Sequence, residues 1–164
     1  VTSRFFRRMT MVAAVVVGLA GLLSGLPGTA VAADSGRVVE LADPAPDWDN
    51  PRRIVLQVST DDPARFEGAM HNAINLQKFY GIDHVEVAII TFAGGVRHLI
   101  GESATAAERI KSLQDYGITF VACGNTLDTI GKRERDLVPG VEVVQVGIAE
   151  IVERSLRGWT TIIP

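Results

Sequence analysis

The chain holds one cysteine, Cys123, among 164 residues. A single sulfur cannot close an intrachain disulfide, and it cannot build a cysteine-based zinc site within one chain. Histidine is scarce too. His71, His84 and His98 are scattered without metal-ligand spacing, so no metal is expected. The glycine patterns that cradle phosphate are absent, as is the G-x-S-x-G elbow of serine hydrolases. No excess of positive charge exists to draw nucleic acid: 16 Lys+Arg face 19 Asp+Glu, a net charge of −3. Glycine numbers 16 but has no period of three, which excludes a collagen.

What is present suits one folded domain. Hydrophobic residues make up 47% and charged residues 21%, a balance that excludes a disordered chain. The first stretch stands apart. Arg4, Arg7 and Arg8 precede an apolar run from Met11 to Leu26, followed by Pro27, Gly28 and the small residues Ala30 to Ala33. This basic, apolar, small-residue layout predicts a signal peptide over residues 1–32, cleaved near Ala32. The protein is then expected to be exported, periplasmic or secreted. It would meet a membrane only if the signal stayed uncut. The apolar run is shorter than the roughly 20 residues of a spanning helix. No cysteine lies near the cleavage site, so a lipid anchor there is excluded. Arg7-Arg8 raises the twin-arginine route, although Thr10 stands where an apolar residue is expected. Residues 33–51 are polar and carry Pro44, Pro46 and Pro51, as a linker does. Trp48 is expected to pack on the domain edge.

Residues 52–164 alternate between two patterns. Ile54–Val58, Val85–Ile90, Ile118–Ala122, Val141–Val146 and Thr160–Ile163 read as strands. Between them come helical stripes. Asp62-Pro63 starts the first, which carries Phe66, Ala69, Met70 and Ala73 and stops at Gly81. Thr105-x-x-Glu108 has the form of a capping box for the second, which stops at Gly117. The third follows Cys123-Gly124-Asn125-Thr126, and the fourth carries Ile148, Ile151, Val152 and Leu156 before Gly158. Ala93–His98 reads as a loop, and Val138-Pro139-Gly140 as a turn. Strand–helix alternation predicts a three-layer α/β/α domain with a parallel sheet of about five strands, a flavodoxin-like layering. Ligands of such sheets bind beyond the carboxyl ends of the strands. The first of those loops, Ser59 to Pro63, is acidic and lacks glycine, so a flavin phosphate is not expected there and no cofactor is implied.

Cys123 is the informative residue. It ends a central strand just before a helix, where backbone N–H groups favour a reactive thiolate. Gly124 lets a ligand approach, and Asn125 or Thr126 can cap the helix or donate to an anion. Arg97 can hold an anionic sulfur species, and His98 can move a proton. Against this, a cysteine often only packs, and an exposed arginine or histidine is ordinary.

The domain resembles the DsrE/DsrF-like family. The resemblance rests on Arg53-Ile-Val-Leu-Gln-Val-Ser-Thr-Asp-Asp-Pro, Asn72-Ala-Ile-Asn-Leu-Gln-Lys, Phe120-Val-Ala-Cys-Gly-Asn-Thr-Leu and Leu137-Val-Pro-Gly-Val, with Gly147-x-x-Glu150 and Gly158-Trp159. It implies a small α/β/α fold that assembles into homo-oligomers, trimers or hexamers. It also implies a sulfur carrier, or sulfurtransferase, whose cysteine holds sulfane sulfur as a persulfide. Its partners would be sulfur donor and acceptor proteins or small thiols. Cys123 looks like the match to that cysteine. The alternatives are a non-enzymatic oligomeric domain that binds a ligand or partner, and a thiol redox sensor.

Overall fold

The computed structural model describes residues 38–164. The signal-peptide reading over 1–32 and the start of the linker lie outside the described residues. Residues 38–51 form no helix or strand, and nearly all of them are exposed. Trp48 does not pack on the domain edge: it is 72% exposed. The nearby anchor is instead Arg52, whose guanidinium donates to the carbonyls of Ala42 and Pro44 at 2.6 and 2.9 Å.

Five parallel strands form one sheet: β1 (Arg52–Val58), β2 (Val85–Thr91), β3 (Thr119–Cys123), β4 (Glu142–Val144) and β5 (Thr160–Ile162). Four α-helices connect them: α1 (Pro63–Tyr80), α2 (Ala104–Asp115), α3 (Gly124–Thr129) and α4 (Gly147–Leu156). The sheet order is β4-β3-β2-β1-β5. This order determines the layers. From β1 to β4 the chain steps one way across the sheet, so right-handed crossovers put α1 and α2 on one face. The last connection runs back past β1 to β5, so α4 must cross the opposite face.

The core agrees. Ile54, Leu56, Val87, Ile89 and Phe120 meet Phe66, Ala69, Met70, Ile110 and Leu113 on the first face. Val55, Ala88, Ile90 and Val121 meet Ile151 of α4 on the second. Phe120 and Leu56 are fully buried, and each burial is worth about 2–3 kcal/mol. The α/β/α layering and the parallel five-strand sheet are as the alternation predicted.

Local chemistry explains most of the boundaries. The Asp62 carboxylate accepts from the Ala64 N–H at 2.9 Å, with Pro63 opening α1. The capping box read at Thr105 does not form. Ser103 caps α2 instead, accepting from the Ala106 N–H, and Thr105 lies inside the helix. The expected loop Ala93–His98 is a 3-10 helix over Ala93–Leu99. Its glycines explain why: a Cβ on Gly95 would stand 2.1 Å from the Val58 carbonyl oxygen, so only bare backbone can coil against the end of β1. At the other end of the chain, Glu150 binds Arg154 at 2.7 Å, and that guanidinium lies 4.6 Å over the Trp159 ring. This contact fastens α4 to the segment that enters β5.

Candidate functional site

The connection after β3 leads to the first face, and the one after β4 leads to the second. Neighbouring strands whose connections diverge leave a crevice at their carboxyl ends. Here the divergence brings Cys123, the last residue of β3, against Gly147, the first of α4, with both residues buried.

The sulfur sits among polar groups. Burial pushes the Cys123 thiol up, but the Gly147 N–H, the Thr126 hydroxyl, and the N–H groups of Thr126 and Asn125 more than offset it. Their hydrogen bonds hold the thiol below its ordinary range. The thiol itself donates to the Gln145 carbonyl, with Sγ at 3.8 Å. The atom is therefore served in both protonation states: an acceptor faces the thiol, and donors face the thiolate. Cys123 is only 6% exposed.

Three details build this nest. The Thr126 hydroxyl oxygen accepts from the Ala93 N–H at 3.2 Å, which leaves its proton for the sulfur. Ala93 pays for that contact with φ +46°, a left-handed conformation that costs an L-residue about 1–2 kcal/mol. Gly147 is close-packed, because a Cβ there would stand 3.0 Å from Cys123 Cβ and 3.3 Å from Phe92 Cβ and would press one of them aside by a few tenths of an ångström. Gly124 is close-packed too: its Cβ would stand 3.2 Å from the Val144 carbonyl oxygen.

The structure thus brings Cys123, Gly124, Asn125 and Thr126 together. It adds Gly147 and Ala93, which the sequence reading did not place among the site residues. A glycine that opens a helix directly after a strand was the available signal for Gly147. Ala93 carried none. The other two candidates go elsewhere. His98 stacks on Phe66 with ring centroids 4.7 Å apart, and its Nε2 lies 3.1 Å from the Thr60 carbonyl oxygen. Arg97 and His98 line a hollow of about 320 Å³ with Phe66, Glu67 and Met70. Neither is among the hydrogen-bond partners of the sulfur.

Beside the nest lies a second cavity of about 550 Å³, which includes Gly124, Asn125 and Gln145 in its lining. Among the described residues, no group of His, Cys, Asp and Glu is placed to hold a metal ion.

Comparison with known proteins gives the family. Curated proteins yield no match. Among solved structures, the Methanobacterium thermoautotrophicum protein of unknown function MTH1491 is 32% identical. The match covers 69% of this chain and 99% of that one, with a TM-score of 0.65. The ychN protein of E. coli is 15% identical over 69% of this chain and 97% of that one, with a TM-score of 0.53. A Bacteroides thetaiotaomicron conserved protein of unknown function, BT1422, is 19% identical over 68% and 94%, with a TM-score of 0.52. These last two share the fold alone. The model of the DsrE/DsrF-like family matches residues 53–164, which is most of the chain and all of the sheet beyond its first residue. With the MTH1491 likeness it gives the one identification the chain supports: this protein belongs to the DsrE/DsrF-like family.

Proposed function

We propose that this protein is a sulfur carrier that holds sulfane sulfur on Cys123. Family membership supports a role of the sulfur-relay type. The observation that carries the finer reading is the convergence of N–H and O–H donors on Sγ, which favours the thiolate despite burial.

The chemistry needs no cofactor. The Cys123 thiolate attacks the outer sulfur of a persulfide or polysulfide donor. The donor's S–S bond breaks as a new S–S bond forms on Cys123. The shortened donor leaves as a thiolate and takes a proton from water. An acceptor thiolate then attacks the outer sulfur on Cys123 and restores the starting thiolate. Oxidation state balances at each step, and the donor and acceptor supply the other thiols.

Incubation with inorganic polysulfide should add the mass of one sulfur atom to the intact protein, and Cys123→Ser should abolish the gain. A wild-type chain left unmodified would remove the reading.

Two accompanying proposals rest on separate features. Export rests on the layout of residues 1–32, and the intact mass of protein recovered from cells tests it: loss of residues 1–32 is expected. Homo-oligomer formation is supported by α4, where Ile148, Val152 and Leu156 are exposed at four-residue spacing. Sedimentation should show an assembly that Leu156→Glu and Val152→Glu together break.

A further inference from the structure

The cavity beside Cys123 has an unusual lining. It borders the nest: Gly124 and Asn125, the two residues after Cys123, and Gln145, whose carbonyl accepts from the thiol, are in its lining. Farther out it carries charges of both signs. Lys132 is taken, with its ammonium 2.6 Å from Glu102. Arg133 and Arg135 are exposed and form no ion pair among the described residues. Asp128 and Glu134 line the same space and are likewise unpaired there. A cavity for a bare inorganic anion would need cations alone. This one offers two guanidinium groups for carboxylates and two carboxylates for an ammonium. Its volume of about 550 Å³ suits an amino acid or a short peptide.

We propose that this cavity binds a zwitterionic small thiol, an amino-acid or short-peptide thiol in its persulfide form, as the sulfur donor to Cys123. The proposal rests on the sulfur-carrier reading and names its substrate class. Arg133 and Arg135 hold the donor's carboxylates, and Asp128 and Glu134 hold its ammonium. The donor's sulfur end points towards Asn125 and Gln145. Transfer then follows the exchange already described: the donor's S–S bond breaks, and the small thiol departs as a thiolate.

Binding can be measured apart from chemistry. Full-length Cys123→Ser protein is titrated calorimetrically with S-methylglutathione and with S-methylcysteine, two thioethers that cannot transfer sulfur. Saturable binding of at least one is expected. Arg133→Glu should weaken it about tenfold, the scale of one lost charge-assisted contact, and Asp128→Asn should weaken it several-fold. Binding of neither thioether overturns the proposal. So does binding that both substitutions leave untouched, and a loss with Arg133→Glu alone removes its zwitterionic part. Polysulfide loading of the wild type separates the two readings. Loading without thioether binding sinks the cavity and keeps the carrier, whereas binding without loading keeps the cavity and sinks the carrier.

Discussion

Two places near the carboxyl ends of the strands each hold a residue with chemistry to offer. The His98 hollow follows β2, between α1 and the 3-10 helix Ala93–Leu99. The Cys123 nest lies at the end of β3, where the connections of β3 and β4 diverge. In the first, the imidazole is engaged on two sides, by the Phe66 ring and the Thr60 carbonyl. In the second, the sulfur meets donors from two different helix starts, α3 and α4. Standing at a strand's rim is thus a weak guide to chemistry. What separates the two is the change of direction after β3, which lets a second helix aim its first N–H at the sulfur.

Substitutions can break or sharpen that contrast. Cys123→Ser carries the largest functional effect: complete loss of sulfur loading, with a stability change within about 1 kcal/mol, read by mass and by thermal melting. Gly147→Ala comes next. The added methyl must displace Cys123 or Phe92, so loading should fall about tenfold and stability by about 1–3 kcal/mol. Thr126→Val removes the hydroxyl donor and leaves the Ala93 N–H without its acceptor. The pH midpoint of thiolate formation should rise, and loading at neutral pH should fall several-fold. His98→Ala is the counter-test. It should cost about 1 kcal/mol, from the lost ring stack, and leave loading within about twofold. Loading that collapses with His98→Ala while surviving Thr126→Val would reverse the comparison.

The same contrast shows what the sequence could reveal. The strands were legible because apolar runs such as Ile54–Val58 have no other use in a chain of this size, and Asp62-Pro63 announces α1 by local chemistry alone. The end of β3 and the glycine after Cys123 were legible for the same reason. The 3-10 helix Ala93–Leu99 was not, because its cause is the Val58 carbonyl pressed against Gly95, a contact between segments far apart in the chain. The second capping candidate misled because Ser103, two residues earlier, had the same ability as Thr105 to bond a free N–H. At the site, Asn125 and Thr126 follow the cysteine and could be read beside it. Gly147 reaches the sulfur only through the sheet order, and Ala93 joins the site only through Thr126, from a left-handed backbone. The expected helix after Cys123 is also short, ending at Thr129, so much of the electrostatic work attributed to it falls to the N–H that opens α4.

The lowered thiol also sets a sign for stability. A group whose folded pKa lies below its unfolded value adds stability that is present above the unfolded pKa and lost as pH falls through the folded one. Cys123→Ser should therefore narrow the stability difference between alkaline and neutral solution. This is the smallest of the expected effects.

The most direct measurement is the rate of iodoacetamide alkylation of the native full-length chain, followed from acid to alkaline pH beside an unfolded control. The account predicts reaction in the folded state, with a pH midpoint below that of the unfolded thiol and raised by Thr126→Val. A sulfur that stays unreacted until the protein unfolds, or one that titrates above the unfolded control, would contradict it.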